Sequence, residues 1–271
     1  MNDRQQPDDT PRRAAMVTAG AAGLGKSVAA ELLRRNWDVF IQHSPSVQTA
    51  ETSVRELLAV ADVRHGQRVA SCAADLSEPT GREQLIERML QEFGRIDMLV
   101  NAPSPHPQAA EDLLELSEET YYRVLDGSLT ATLFLTQLVA NEMVRLTEAG
   151  EIADPRIVTI NSISAYTTSA DHGPQCIARA GVSMMSRLFA DVLGEYGINV
   201  YEVRVGLIST ASADASHRRY DELIAEGLTP LRRWGRADDV ARAVAAVAED
   251  LLPFSTGEVI NVDGGFHLRR L

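Results

Sequence analysis

Three closely spaced glycines near the start of the chain are the residues whose types and spacing most directly indicate a chemistry. Gly20, Gly23 and Gly25 follow an apolar, β-compatible run from Ala14 to Thr18 and precede a helical pattern from Lys26 to Arg35. Glycines let the backbone turn tightly beside a pyrophosphate, and the following helix N-terminus offers unpaired N–H groups and a positive dipole end. The segment therefore predicts a nucleotide-binding turn, although the glycines alone are equally compatible with a tight turn that binds nothing.

The glycine turn also carries a resemblance to a known family. Its frame, Thr18-x-x-x-x-Gly23-x-Gly25, resembles the T-G-x-x-x-G-x-G turn of the short-chain dehydrogenase/reductase family, with Ala19 at the position of the first glycine. Further segments resemble motifs of this family, as found in 3-oxoacyl-acyl-carrier-protein reductases, and they occur in the same order along residues 14 to 265. These segments are residues 97–101, 124–130, 156–162, 175–181, 204–210, 234–241 and 255–265.

The family resemblance and the chain length together predict the fold class. We expect an α/β architecture, a single-domain Rossmann-like doubly wound parallel sheet flanked by helices on both faces, over residues 14–271. Residues 1–13 are polar, with three acids, three arginines and two prolines, and are predicted to form a disordered N-terminal tail. Within the domain, residues 156–162 are predicted to be a buried strand and residues 117–147 one long helical stretch capped by Ser117.

Composition excludes several function classes. The net charge of −12 argues against a nucleic-acid partner or an anionic membrane surface, both of which call for a basic patch. The two cysteines, Cys72 and Cys176, make no disulfide framework, so a reducing cytoplasm is the expected location. We find no signal-peptide core and no apolar segment long enough for a membrane span. No metal site is predicted.

The resemblance implies NAD(P) as the cofactor and assigns residues to its groove. Asp75 would hydrogen-bond the adenine amino group, although it is also placed to cap the following helix. Thr210 would hold the nicotinamide carboxamide, and Arg179 the nicotinamide ribose. The full implied set is Thr18, Gly20, Gly23, Leu24, Gly25, His43, Ser44, Asp75, Leu76, Asn101, Ala102, Arg179, Gly206, Ile208 and Thr210.

The end of the second predicted strand, at His43 and Ser44, bears on the choice between NAD and NADP. An acidic residue at this point binds the ribose hydroxyls and repels a 2′-phosphate. His43 and Ser44 stand there instead, which favours NADP over NAD, but no Arg or Lys at 42–46 demands it. A half-exposed strand-end residue is an equally good description of His43.

The catalytic positions of the family hold unusual residues in this chain. Ser162 matches the family's catalytic serine, but Gln175 stands thirteen residues later, where the resemblance places a tyrosine, and Arg179 stands at the lysine. Gln175 has no proton to exchange near neutral pH, although it can still donate a hydrogen bond to a carbonyl or an oxyanion. Arg179 is permanently charged and can clamp ribose hydroxyls. Loss of the acid should lower the rate of proton transfer by roughly 10²–10⁴.

Two other side chains are candidates for the missing acid. His172 lies seven residues before Arg179, where the enoyl-acyl-carrier-protein reductase branch of the family has its tyrosine, and Asp171 beside it would orient the ring. A surface histidine is the alternative interpretation. Tyr166 is a weaker candidate. Ser128 replaces the asparagine that binds a relay water in the family, which puts that proton relay in doubt.

Three functions stay open on the sequence alone. The first is an atypical NAD(P)-binding oxidoreductase that acts on a small carbonyl or hydroxyl compound. The second is a redox-neutral dehydratase, isomerase or cyclase that reuses the pocket, and the third is a non-catalytic partner subunit. The resemblance also implies a homodimer or homotetramer formed through the helices at 117–147 and 174–196. Inside the second of these, the residues expected to face inward are Val182, Met185, Leu188, Phe189 and Val192.

Overall fold

A parallel sheet organises the protein. The computed structural model describes residues 12–46, 50–63, 66–103, 112–209 and 215–269. The strands are β1 (Ala14–Val17), β2 (Asp38–His43), β3 (Val69–Ala73), β4 (Met98–Asn101), β5 (Arg156–Ser162), β6 (Asn199–Val205) and β7 (Glu258–Val262). Within the described residues they form one seven-stranded sheet in the order β3-β2-β1-β4-β5-β6-β7, with every pair parallel. The predicted doubly wound, Rossmann-like fold is confirmed.

Helices cover both faces of this sheet. They are α1 (Gly23–Arg34), α2 (Ala50–Val60), α3 (Pro79–Phe93), α4 (Glu118–Leu125), α5 (Ala131–Glu148), α6 (Gly173–Leu193), α7 (Ala215–Ala225) and α8 (Ala237–Ala248). On one face, α1, α2 and α8 pack against strand residues such as Val17 and Val203, and on the other, α3, α5 and α6 pack against residues such as Met16 and Val200. None of the helices in the described ranges is long and apolar enough to cross a membrane.

The winding direction of the sheet reverses beside β1, which is hydrogen-bonded to both β2 and β4. In open parallel sheets, this reversal leaves a crevice at the carboxyl ends of the two central strands, where ligands bind. Two hydrogen bonds join those strand ends, because the Thr18 hydroxyl donates to the Ala102 carbonyl at 3.0 Å and accepts from the Ala102 N–H at 2.9 Å.

The stretch predicted as one helix over 117–147 is interrupted, which corrects that prediction. Ser117 caps α4 as expected, since its hydroxyl accepts from the Thr120 N–H at 3.2 Å. Residues Asp126–Thr130 then form a π-helical turn before α5 continues. The Thr132 hydroxyl donates to the Ser128 carbonyl at 2.5 Å, and such side-chain bonds to the preceding turn perturb the regular helical pattern.

The inward face of α6 differs in part from its prediction. Val182 and Met185 are buried as expected, but Leu188 and Val192 are 58% and 59% exposed. The helical repeat explains the error, because 3.6 residues per turn place positions 182, 186 and 193 on the core side and rotate 188 and 192 away from it. α6 ends at Leu193, and a 3₁₀ turn covers Gly194–Tyr196.

Arg12 and Arg13, which were assigned to the disordered tail, contact the start of β2. The Arg12 Nε donates to the Asn36 Oδ1 at 2.9 Å, and the Arg13 guanidinium lies 4.3 Å from the ring centroid of Trp37. The Arg13 carbonyl also accepts from the Asp38 N–H at 2.9 Å. The chain is therefore held against the sheet from Arg12 onward, two residues before the predicted boundary, and the rest of the tail prediction lies outside the described residues.

Candidate active site and cofactor groove

A groove of about 630 Å³ lies at the carboxyl edge of the sheet, where the winding direction reverses. Its walls come from the glycine turn, the ends of β2, β3 and β4, the π-helical turn with its neighbouring helices, and α6. It brings together many of the predicted cofactor residues, namely Thr18, His43, Ser44, Asp75, Leu76, Asn101, Ala102 and Arg179. Gly20, Gly23, Leu24 and Gly25 form the structure behind this wall and do not line the groove.

Glycine is required at the predicted nucleotide turn for steric reasons. A Cβ at Gly20 would lie 2.6 Å from the Ile41 side chain, and a Cβ at Gly25 would lie 2.5 Å from the Ala19 carbonyl oxygen. Gly23 has a φ of +52°, a left-handed conformation that side chains rarely adopt. These three positions bring the backbone close to the groove, as a pyrophosphate cradle requires.

Ala19 and Gln42 form a second feature of the same turn, which sequence reasoning missed. Ala19 has a φ of +48°, although it is not a glycine. Its N–H donates to the Gln42 Oε1 at 2.9 Å, and the Gln42 Nε2 donates to the Ala74 carbonyl at 2.7 Å. Gln42 is buried and thereby links the glycine turn to the ends of β2 and β3. A polar residue within the apolar run of β2 was the available signal.

Asp75 lies in the groove wall and also shapes the turn after β3. Its Oδ1 accepts from the Ser77 N–H at 3.0 Å and from the Ser77 hydroxyl at 2.7 Å. The N-cap of α3 is Glu78, without a side-chain cap bond, so the alternative assignment of Asp75 as that cap is wrong.

The far wall of the groove was predicted only in part, through the family-like segment 124–130 with Ser128. Arg123 of α4 and Asp126 of the π-helical turn contribute charged groups to it, and the neighbouring liners are Gly127, Ser128, Ala131, Thr132 and Leu135. At the other end, the groove is lined by His43, Asp75 and Glu78, and Arg123 and Arg179 are the only lysine or arginine side chains among the described lining residues. The family-like segment 124–130 covers part of this wall, but no sequence pattern marked Arg123 as a groove residue.

Asn101 is buried at the floor of the groove. Its Nδ2 donates to the Thr136 hydroxyl at 2.9 Å and lies 3.3 Å from the Thr159 hydroxyl. These bonds join β4 to α5 and β5. The predicted groove residue therefore also fixes the packing of the central sheet against α5.

Arg179 is the residue of the predicted catalytic set that lines the groove. Among the described residues, its guanidinium has no hydrogen-bond or ion-pair partner, while its backbone carbonyl accepts from the Asn161 Nδ2 at 3.0 Å. Burial lowers the pKa of Arg179 from its ordinary value. The guanidinium stays protonated at neutral pH, so Arg179 contributes a positive charge to the groove.

The other predicted catalytic residues lie beyond the groove lining. Ser162 ends β5, and its Oγ accepts from the Ser164 N–H at 3.1 Å. His172 and Gln175 lie at the start of α6, and within the described part of the chain the buried His172 Nδ1 and Gln175 Oε1 have no hydrogen-bond partner. No hydrogen bond between described residues joins Asp171 to His172, so the predicted orienting contact is absent there.

Comparison with known proteins decides the family. A model described as enoyl-(acyl carrier protein) reductase matches residues 19–267. The chain belongs to the short-chain dehydrogenase/reductase family. Among its relatives, the (2S)-[(R)-hydroxy(phenyl)methyl]succinyl-CoA dehydrogenase subunit BbsD of Thauera aromatica is 32% identical over 93% of this chain and 96% of that protein. An L-rhamnose-1-dehydrogenase of Scheffersomyces stipitis is 28% identical, and the alignment covers 92% of this chain and 93% of that protein.

A solved structure of the short-chain dehydrogenase/reductase type supports the same assignment. The 3-oxoacyl-[acyl-carrier protein] reductase of Brucella melitensis, crystallised in complex with NAD, superimposes with a TM-score of 0.85. It is 34% identical, and the alignment covers 96% of this chain and 99% of that one. The predicted family is therefore confirmed along nearly the whole chain.

A buried polar network in this family member supports α6 from beneath. Glu202 of β6 is almost fully buried and accepts from the Arg204 Nε at 2.8 Å, the Asn161 Nδ2 at 3.0 Å and the Ser183 hydroxyl at 2.7 Å. Because Asn161 also binds the Arg179 carbonyl, the network connects β5 and β6 to the turn of α6 that carries the groove arginine.

Tyr166, the weaker candidate acid, lies against this network and not in the groove lining. Its ring centroid is 5.2 Å from the Arg204 guanidinium carbon. Burial and the nearby carboxylate of Asp263 raise the pKa of Tyr166, which makes its phenol harder to ionise. The surroundings of Tyr166 therefore do not support a role as the acid.

The remaining predicted residues occupy the region after β6. Gly206 is packed against Asp263, whose Cα would lie 2.7 Å from an added Cβ, and Ile208 pairs with Gly235. Neither lines the groove. Thr210 lies outside the described residues. Across the described ranges, no group of three or more His, Cys, Asp and Glu side chains is arranged to hold a metal ion.

Proposed function

We propose that this protein is an atypical NAD(P)-binding oxidoreductase that acts on a small carbonyl or hydroxyl compound. The observation that carries the proposal is the groove where the sheet reverses, on which the glycine turn, Asp75, Asn101 and Arg179 converge. Such a crevice is the usual ligand site of an open parallel sheet.

The residues present fit a nicotinamide dinucleotide. The glycine turn and the N-terminus of α1 would bind the pyrophosphate, Asp75 the adenine, and Arg179 the nicotinamide ribose. The groove volume of about 630 Å³ lies within the range of cofactor sites. When bound, the cofactor supplies or accepts the hydride. The relatives, among them an L-rhamnose-1-dehydrogenase and a 3-oxoacyl-[acyl-carrier protein] reductase crystallised in complex with NAD, support this class of chemistry.

The proposed mechanism is atypical because the positions aligned with the family's tyrosine and lysine hold Gln175 and Arg179. Gln175 can hold a carbonyl oxygen through its amide N–H, as an oxyanion donor does, but it cannot deliver the proton. We assign proton delivery to His172, whose buried Nδ1 has no hydrogen-bond partner among the described residues, or to water. Ser162 would orient the substrate oxygen from the end of β5.

The missing acid also supports a second candidate function. A redox-neutral dehydratase, isomerase or cyclase needs a polarised carbonyl, which Gln175 and Ser162 can supply, and it needs no hydride. The retained glycine turn favours the oxidoreductase, since a redox-neutral reaction gives no reason to preserve a pyrophosphate cradle.

We infer that the preference for NADP over NAD is small. His43 and Ser44 present no carboxylate to a 2′-phosphate, which supports NADP. However, Asp75 and Glu78 line this end of the groove, and no lysine or arginine does so among the described residues. Both cofactors are therefore expected to bind.

We also propose a homodimer or homotetramer that uses α6. The side chains of Ile177, Met184, Leu188 and Val192 are each about half exposed and follow one another at helical spacing. Phe134 of α5 adds a further exposed apolar ring. An apolar stripe of this length on a surface helix is typical of a protein interface.

Turnover of a carbonyl panel by matched variants tests the proposed function. We expect slow NAD(P)H oxidation by the wild type, and a further loss of roughly tenfold or more in His172→Ala if its imidazole delivers the proton. The double variant Gln175→Tyr, Arg179→Lys restores the family pair and should raise kcat by about 10²–10⁴. No turnover by wild type or the double variant, with both folded, would contradict the proposal.

A further inference from the structure

Arg82 of α3 is a buried cation that does not line the groove. Arg82 and Arg156 are 6% and 3% exposed, and no other arginine in the described ranges is as deeply buried. Arg156 pairs with Asp250 at 3.2 Å, whereas Arg82 forms no ion pair with any described residue. Burying a charge without a counter-charge is costly, so the stability of the fold does not account for an arginine at this position.

The guanidinium of Arg82 binds the turn that follows β3 from behind the groove wall. Its Nη1 donates to the Leu76 carbonyl at 2.6 Å and to the Ser77 carbonyl at 3.0 Å. Leu76 and Ser77 both line the groove, together with Asp75, which precedes them. Arg82 therefore fixes the orientation of two successive peptide groups in the part of the wall that is assigned to the adenine.

One of these peptide groups connects Arg82 to Asp75. The Leu76 carbonyl and the Ser77 N–H belong to the same planar trans peptide group, so they point in opposite directions. Because Arg82 binds the carbonyl, the N–H is directed to the other side, where it donates to the Asp75 Oδ1 at 3.0 Å. The Ser77 hydroxyl donates to the same oxygen at 2.7 Å. The orientation of the Asp75 carboxylate thus depends on the contact between Arg82 and Leu76.

Packing on both sides holds Arg82 in place. The preceding residue, Gly81, lies so close to the turn that an added Cβ would overlap the Asp75 carbonyl oxygen. On the other side, the Arg82 guanidinium carbon lies 5.5 Å from the ring centroid of Phe134 of α5. Leu135, the next residue of α5, lines the far wall of the groove. Arg82 therefore connects the turn after β3 to the helix that provides part of the opposite wall.

We propose that Arg82 is a positioning residue for adenine recognition, which orients Asp75 toward the amino group of the cofactor's adenine. This inference rests on the proposed function, because it concerns the same NAD(P) groove. It assigns part of the base specificity of the groove to a residue that lies behind its wall.

Two dinucleotides that differ only in the base test the proposal. NADH carries the amino group of adenine, and reduced nicotinamide hypoxanthine dinucleotide carries a carbonyl oxygen at the same place. Both are titrated into the folded protein and followed by nicotinamide fluorescence. We expect the wild type to bind NADH roughly 10- to 100-fold more tightly, because the analogue cannot donate the hydrogen bond to the charged Asp75.

Matched variants show whether this preference for adenine depends on Arg82. Arg82→Met should remove most of the preference, and should leave the affinity for the hypoxanthine analogue within about twofold of the wild type, since that ligand makes no such bond. Asp75→Ala should also remove the preference, and adding Arg82→Met to it should cause no further change, because both residues act on one contact. Arg88→Met, which removes an exposed arginine of α3 that pairs with Glu92, is the control and should keep the full preference.

A merely structural role for Arg82 would give a different pattern. If Arg82 only stabilised the fold, Arg82→Met would weaken the binding of both dinucleotides equally, and that result would overturn the proposal. So would an unchanged preference for NADH in Arg82→Met, or equal binding of both dinucleotides to the wild type. If Arg82→Met does not fold, Arg82→Lys decides the question. Its side chain is one bond shorter and should keep only part of the preference, so a full preference would overturn the proposal.

Parallel titrations with AMP and inosine monophosphate distinguish this inference from the proposed function. If the folded wild type binds neither reduced dinucleotide, the oxidoreductase is refuted, and a preference for AMP that depends on Arg82 would still support the inference. NADH binding with an adenine preference that does not depend on Arg82 would leave the oxidoreductase standing and overturn the inference. Absence of binding of all four ligands would refute both.

Discussion

Replacing Ala19 with glycine should stabilise this protein. Ala19 adopts a φ of +48°, in the left-handed region, at the position where the family turn has glycine. The Cβ of an L-residue comes too close to the following carbonyl oxygen in that region, which costs roughly 1–2 kcal/mol. The strained conformation is held by the bond from the Ala19 N–H to the Gln42 Oε1, and glycine retains that bond.

The net gain is smaller than the strain that is released. Glycine has more conformational freedom in the unfolded chain, and this offsets about 0.4–1 kcal/mol of the released strain. The Ala19 methyl is only partly buried, so its loss adds little to that offset. We therefore expect Ala19→Gly to raise the free energy of unfolding by roughly 0.5–1 kcal/mol, or the Tm by about 1–3 °C for a chain of this size.

Calorimetric or fluorescence melting of matched variants measures this effect. Ala59→Gly, at an exposed position near the end of α2, is the control, and it should be destabilised because glycine weakens a helix by roughly 0.5–1 kcal/mol. Cofactor affinity should be retained in Ala19→Gly. If Ala19→Gly lowers the Tm as much as the control does, the argument from backbone strain is wrong.

Three other predictions concern the buried and capping contacts. Glu202→Ala removes the acceptor of Arg204 and leaves that cation buried, so urea unfolding should show a loss of about 3–5 kcal/mol, and a loss below 1 kcal/mol would contradict this. Gln42→Leu leaves the Ala19 N–H and the Ala74 carbonyl without their hydrogen-bond partner and should weaken NADPH binding roughly tenfold. An unchanged NADPH affinity would show that Gln42 does not support the glycine turn. The hydrogen bond from Arg233 lowers the pKa of Asp239 in the folded protein. The stabilisation that the ionised carboxylate contributes is therefore present above its unfolded pKa of about 4 and is lost as the pH falls through its folded pKa. The Tm advantage of wild type over Asp239→Asn should therefore exist at pH 7 and vanish in acid, and an advantage that persists at pH 2 would contradict the linkage.

Elements with strong local signals could be predicted from the sequence. The strand at Arg156–Ser162 has the predicted bounds, because its run of apolar β-branched residues leaves little alternative. α3 ends before Gly94, whose φ of +70° is the left-handed conformation in which glycine commonly ends a helix. The order of the motifs along the chain also gave the groove residues Thr18, Asp75 and Asn101.

Features that depend on tertiary packing could not be predicted in this way. The π-helical turn at Asp126–Thr130 lies in a segment that resembles a family motif, but no local pattern indicated its π-helical conformation or the place of Arg123 in the groove wall. The hydrogen bond from the Ala19 N–H to the Gln42 side chain joins residues that are 23 positions apart in the sequence, so no local pattern indicates it. The outward rotation of Leu188 was missed because two apolar stripes run along α6, and only packing shows which one is buried.

Equilibrium titration of the purified wild-type protein with NADH and NADPH, followed by nicotinamide fluorescence, tests the central claim most directly. Our account predicts saturable binding of both cofactors at micromolar concentration, with enhancement and a blue shift of the emission as the nicotinamide enters the groove. Gly25→Val, whose side chain would meet the Ala19 carbonyl, should not saturate in the same range if it remains folded. No binding by the folded wild type at millimolar cofactor would contradict the proposed oxidoreductase.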